Sequence, residues 1–202
     1  MKEEIQKIKK ASLSENIPII RDEALDVIRK ILIENKPERV LEIGTGTGYS
    51  AICFYDILNT VGSGFHARPI HIDTIELDEL RANEAIANIK SLKLENNINV
   101  MIGDAVEILP KINKKYDMVF IDASKTKYPV FLENAIRLTN PGSVIIADNV
   151  LYYGYVMGDY NKHKQRTAVK RLREYLKEAQ ENPHLETEIL DVGDGLAVSR
   201  VR

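Results

Sequence analysis

A chain of 202 residues, 44% hydrophobic and 29% charged, is long enough for one domain with a large buried core, and its 11 glycines and 7 prolines exclude a disordered or collagen-like polymer. Lysine and arginine number 28 against 30 acidic residues, a net charge of −2, so any surface for nucleic acid must be local. The single cysteine, Cys53, excludes an internal disulfide. The charged opening MKEEIQKIKK has no secretory core, and no apolar run reaches the roughly 18 residues of a membrane span, so a cytoplasmic protein with no membrane partner is expected.

Taken in chain order, the pattern alternates helical and extended segments. Ala24, Leu25, Ile28, Ile31 and Leu32 make one helical stripe, followed by an extended run at Arg39–Ile43 and a glycine-rich turn. After a turn-rich stretch over Asn59–Pro69 comes a second strand at Ile70–Ile75. A helix follows, with a stripe of Leu80, Ala82, Ala85, Ile86 and Ile89. Further strands are expected at Ile98–Ile102, Met118–Ile121 and Ser143–Ala147. Between the last two, a helix carrying Phe131, Ala135, Ile136 and Leu138 stops at Asn140-Pro141-Gly142. A long helix over about 162–180 precedes runs at Glu186–Leu190 and Leu196–Val201, too close together for a helical crossover, which predicts an antiparallel hairpin. The expectation is a single α/β domain over residues 1–202. Its doubly wound, Rossmann-like sheet of seven strands would be mostly parallel and end in the antiparallel hairpin.

The first strand runs into Glu42-Ile43-Gly44-Thr45-Gly46-Thr47-Gly48-Tyr49-Ser50. Glycines at a strand-to-helix turn permit tight backbone and close approach of a ligand, or serve only the turn itself. Glu42 beside those glycines would repel a pyrophosphate but attract the ammonium and sulfonium of S-adenosylmethionine. Glu76, ending the second strand, is placed to accept hydrogen bonds from ribose hydroxyls. Asp104, just past the third strand, could contact adenine or cap the following helix.

Those residues, in LEIGTGTGYSA, with IELD, GDA, VFIDASKTKY, IIADNVLYYG and the closing GDGLAVSRV, resemble the metal-dependent class I S-adenosylmethionine O-methyltransferases, the group of catechol and caffeoyl-coenzyme A O-methyltransferases. The resemblance runs from about Asn16 to Arg202. It implies that Ile20, Glu42, Gly44, Ser50, Glu76, Asp104, Ala105 and Asp122 contact S-adenosylmethionine. It also maps the family's metal ligands onto Asp122, Asp148 and Asn149.

Two carboxylates and an amide carbonyl at the ends of the fourth and fifth strands suit a hard divalent cation such as Mg²⁺, while His66, His71, His163 and His184 lie too far apart for a zinc pattern. Alternatively, Asp122 and Asp148 cap loops and Asn149 sits in a turn. With Asp122 as a catalytic partner, the resemblance makes Lys125 the group that takes or orients the proton of the hydroxyl being methylated.

Within the family the nearest likeness is to bacterial tRNA 5-hydroxyuridine methyltransferases, carried by Ile17-Pro18-Ile19, IGTGTGYSA and Asp122-Ala123-Ser124-Lys125 leading to Tyr128. It implies a 5-hydroxyuridine acceptor in tRNA, with a small catechol-like substrate as the alternative, and a homodimer. Lys162, Lys164, Arg166, Lys170, Arg171, Arg173 and Lys177 against Glu174 could contact phosphates or form a solvated helix face. Tyr152, Tyr153 and Tyr155 could flank a flat substrate or form a dimer contact. A nicotinamide-dependent oxidoreductase on the same sheet is the more remote reading, disfavoured by Glu42.

Overall fold

All five apolar positions expected between 24 and 32 are buried on one face of a helix over Asp22–Asn35, which ends where Lys36 turns left-handed at φ 46°. The computed structural model describes residues 1–62, 69–158 and 165–202. They form two compact units, Met1–Ala105 and Val106–Arg202.

The first unit contains α1 (Lys2–Ser14), α2 (Asp22–Asn35), β1 (Arg39–Ile43), α3 (Tyr49–Gly62), β2 (His71–Glu76), α4 (Glu79–Ser91) and β3 (Ile98–Ile102). β2 pairs in parallel with β1, from Arg39↔His71 to Ile43↔Ile75, and with β3, from Ile72↔Ile98 to Glu76↔Ile102. The carboxyl ends of the three strands therefore lie side by side. β1 and β2 are buried along most of their length, as parallel strands covered on both faces must be, although β2 buries Asp73 and Thr74 as well as its two isoleucines. β3 is half-exposed.

Three sequence expectations shift here. Asn59 and Thr60 continue α3, which runs to Gly62; residues 63–68 of the expected turn-rich stretch, His66 among them, lie outside the described residues. Leu80 is 81% exposed. The buried stripe of α4 is Ala82, Ala85 and Ile89. Leu80 lies two positions before Ala82, about 200° round the helix from that stripe. Ile86 is only half-buried.

Cys53 faces inward from α3, and burial pushes its thiol up to about 12. Alkylation by iodoacetamide at pH 8 should therefore be at least tenfold slower in the native protein than in urea, because the thiolate is the reactive form. Equal rates in both states would show that this face of α3 is open.

The chain enters the second unit within the single-turn helix α5 (Ala105–Ile108). It continues through β4 (Tyr116–Ile121), α6 (Tyr128–Arg137), β5 (Thr139–Asp148), α7 (Arg166–Glu181), β6 (Leu185–Leu190) and β7 (Leu196–Val201). β5 pairs in parallel with β4 and antiparallel with β7, and β7 pairs antiparallel with β6, so the last strand is inserted between β5 and β6. The hairpin expected from the sequence is present.

β4 and β5 both begin earlier than expected. The register jumps from Tyr116↔Thr139 to Met118↔Val144, so Asn140-Pro141-Gly142 forms an irregularity inside the start of β5. Proline has no amide proton for the ladder, and the extra residues bulge outward, where Pro141 and Gly142 are exposed.

Candidate active site

The glycine turn of the first unit is fastened from several sides. Gly44 donates its N–H to the Ile75 carbonyl at 3.0 Å, and Gly48 to Thr45 at 2.9 Å. Gly48 has φ +80°, and a Cβ there would stand 3.2 Å from the Cβ of Ala85 on α4. Left-handed backbone and close helix approach thus both require glycine at this position.

Glu42, fully buried on β1, receives two hydroxyls: Ser50 donates to Oε1 at 2.5 Å and Thr74 to Oε2 at 2.6 Å. Thr74 has spent its only proton, so Thr45, 2.6 Å away, donates to it. The Glu42 carboxyl therefore lies beneath the turn, with half-buried Ser50 among its partners.

Glu76 braces the turn as well. Its Oε2 accepts the backbone N–H groups of Thr45 at 3.0 Å and Gly46 at 2.8 Å, and its Oε1 that of Asp78 at 3.0 Å. Asp104 is exposed immediately before α5, in the capping position, with Ala105 buried behind it. Ile20 is buried two residues before α2. Nothing in the sequence marks the roles of Thr45, Thr47 and Thr74, since threonine is an ordinary residue of turns and strands.

In the second unit, β4 and β5 end in register at Ile121↔Ala147, which places Asp122 and Asp148 next to each other beyond the pairing. Asn149 follows at φ 56°, a left-handed conformation that asparagine tolerates. Its backbone N–H donates to Asp148 Oδ1 at 2.7 Å.

The Lys125 ammonium sits among these groups. It donates to Asp122 Oδ1 at 2.9 Å, Asn149 Oδ1 at 3.0 Å and the Tyr128 hydroxyl at 2.6 Å, which uses all three of its protons. Tyr128, wholly buried, passes its own proton to the Asp148 carbonyl at 2.8 Å. Burial, then the charge of Asp122, pushes the Asp148 carboxyl up to about 6.

Asp122, Lys125, Asp148 and Asn149 are thus brought together, and one ammonium serves a set of oxygens rich enough for a divalent cation. Among the described residues, no three of His, Cys, Asp and Glu form a metal cluster; this set has two carboxylates and an amide. The role of Tyr128 in it had no sequence signal beyond its place in the motif.

The three tyrosines after Asn149 do cluster, with ring centroids 5.5–6.1 Å apart. Their loop is held by the Tyr153 N–H donating to Asp194 Oδ1 and by Arg173, which donates to the carbonyls of Tyr155, Val156 and Gly158. Arg173 is therefore committed to loop carbonyls. Arg171 and Lys170 share Glu174, at 2.6 and 3.9 Å. Lys162, Lys164 and His163 lie outside the described residues, as does the expected start of the long helix. No helix among the described residues is long and apolar enough to cross a membrane.

The O-methyltransferase family model matches residues 2–202. The catechol O-methyltransferase of Niastella koreensis is 32% identical, over 82% of this chain and 74% of its own. That of Mycobacterium tuberculosis is 33% identical, over 81% and 72%. A Staphylococcus aureus structure, provisionally assigned as a caffeoyl-CoA O-methyltransferase, superposes with a TM-score of 0.87 at 31% identity, covering 98% of this chain and 92% of that one. That likeness shows the fold to be the expected seven-stranded, mostly parallel α/β sheet with its antiparallel C-terminal hairpin.

Proposed function

The chain belongs to the O-methyltransferase family and is an S-adenosylmethionine-dependent O-methyltransferase of the catechol and caffeoyl-CoA type, and from that premise we propose that it methylates one of two neighbouring oxygens on its acceptor, with Mg²⁺ held by Asp122, Asp148 and Asn149. The observation that carries this reading is the convergence of the Asp122 and Asn149 oxygens on the Lys125 ammonium, with the raised Asp148 carboxyl beside Asn149. Hard oxygen donors and an excess of negative charge fit such a cation. When bound, it supplies Lewis acidity that loosens the proton of an adjacent hydroxyl.

In this reading residues 1–202 serve as one methyltransferase domain. Ile20, Glu42, Gly44, Ser50, Glu76, Asp104, Ala105 and Asp122 hold the donor. Lys125 at Nζ takes the acceptor hydroxyl's proton, or orients that hydroxyl while its proton leaves to solvent. The oxygen then forms a bond to the methyl carbon as the methyl–sulfonium bond breaks, leaving S-adenosylhomocysteine. With no covalent work for the protein in that displacement, alignment supplies much of the rate.

A second acceptor, 5-hydroxyuridine in tRNA, offers the same chemistry through its 5-hydroxyl and 4-carbonyl. It is favoured by the residues resembling the tRNA enzymes and by the exposed basic residues Arg166, Lys170, Arg171 and Lys177 of α7. One assay tests metal and acceptor together: methyl transfer from labelled S-adenosylmethionine to a dihydroxyphenyl acceptor and, separately, to tRNA containing 5-hydroxyuridine. EDTA should abolish transfer and excess Mg²⁺ restore it, while donor affinity changes less than twofold. Full turnover in EDTA would remove the metal from Asp122, Asp148 and Asn149. Turnover of only one acceptor would identify the substrate class.

A further inference from the structure

The first helix carries a polar residue where its packing calls for an apolar one. Its buried residues are Ile5, Ile8 and Ser12, at the i, i+3, i+7 spacing of a single stripe, and Ser12 is 1% exposed. The Ser12 hydroxyl donates to the Ile8 carbonyl at 2.9 Å and lies 2.9 Å from the Thr47 hydroxyl. A serine has one proton to give, so with that proton on Ile8 it is Thr47 that donates to Ser12. The Ser12 carbonyl accepts the Ile17 N–H at 2.9 Å, anchoring the start of the Ile17–Ile20 run.

Thr47 is the buried residue between Gly46, at φ 53°, and Gly48, at φ 80°. Glycines on both sides give this part of the turn little conformational preference of its own, so its geometry depends on outside attachments. Two of them reach Thr47 itself: Asn88 Nδ2 of α4 on its carbonyl at 2.9 Å, and Ser12 of α1 at its hydroxyl. The same turn presents the Thr45 and Gly46 amides braced by Glu76.

We propose that Ser12 is a positioning residue for the methyl donor: by accepting the Thr47 hydroxyl it holds the glycine turn in its ligand-ready form, so that a residue of α1, 35 positions before Thr47, sets the affinity for S-adenosylmethionine. This rests on the reading that the glycine turn holds the donor. Without Ser12 the Thr47 hydroxyl is buried without that partner, and the turn spends part of its time in other conformations. Apparent affinity falls in proportion to the competent fraction.

Calorimetric titration of S-adenosylmethionine into the full chain, below the melting temperature of every variant, tests this. Ser12→Ala should weaken binding about three- to tenfold, the range expected for one buried hydrogen bond lost. Thr47→Val should weaken it similarly, and the double variant no more than the stronger single one. Ser12→Thr, which restores an acceptor, should bind within about twofold of wild type. Ile8→Val loosens the same helix without touching Thr47 and should lower the melting temperature while leaving affinity unchanged.

Unchanged affinity in both Ser12→Ala and Thr47→Val would overturn the proposal. So would an equal loss in Ile8→Val, since that assigns the effect to helix docking in general. Failure of the wild type to bind S-adenosylmethionine would instead overturn the donor reading, and this inference with it.

Discussion

Lys125→Met is expected to lower kcat by about 10²- to 10⁴-fold, the usual contribution of a positioned acid–base group, with donor affinity unchanged. Methionine keeps the length and apolar stem of the side chain but removes the ammonium that reaches Asp122, Asn149 and Tyr128. The Tyr128–Asp148 hydrogen bond does not depend on Lys125, so the fold of β4 and β5 should survive the change.

Lys125→Arg separates the two roles left open for the residue. It retains positive charge but does not deprotonate near neutral pH, so a base requirement leaves it as slow as the methionine variant. Recovery of most activity in the arginine variant would make Lys125 an orienter. A loss under tenfold in Lys125→Met, measured at saturating acceptor and donor, would remove it from the reaction.

Glu76→Ala should weaken S-adenosylmethionine binding by about 100-fold or more. One oxygen of this carboxylate holds two amides of the glycine turn and the other holds Asp78, so its removal releases three backbone donors as well as any contact to ribose. Hydrogen bonds to charged groups contribute roughly 1.5–3 kcal/mol each, and 1.4 kcal/mol is about a factor of ten in affinity. Part of the loss should appear as a lower melting temperature, because the turn is braced before any ligand arrives. Glu76→Gln keeps one acceptor oxygen and should lie between wild type and alanine. Calorimetry showing wild-type affinity in Glu76→Ala would exclude Glu76 from the donor site.

Much of this architecture is legible in local patterns. The five-residue stripe of α2 repeats at helical spacing and is buried at every position. Asp122, just past β4, and Asp148, at the end of β5, stand out because they follow short apolar runs, where a parallel sheet presents its ligand-binding edge. What local patterns do not reveal are pairings between distant segments. Thr74 in β2 reads as an ordinary β-former, and nothing near it indicates that its hydroxyl serves Glu42 in another strand. Arg173 reads as one more charge in a basic run, yet it binds carbonyls 15–18 residues earlier. Asn140-Pro141-Gly142 does mark the end of a helix, but the strand forms around it as a bulge because β4 supplies a partner at Tyr116.

The place of β7 in the second unit bears on how the polypeptide is made. β5, ten residues long and almost wholly apolar after its bulge, has β7 along one side, and β7 follows it by some fifty residues in sequence. During synthesis β5 is complete well before Leu196–Val201 leaves the ribosome, so one edge of a buried strand waits, uncovered, for residues some fifty positions later. Such an edge is a template for pairing with other nascent chains. A message truncated before Leu196 would leave that exposure permanent, and its product should accumulate in aggregates rather than as a folded, weakened enzyme.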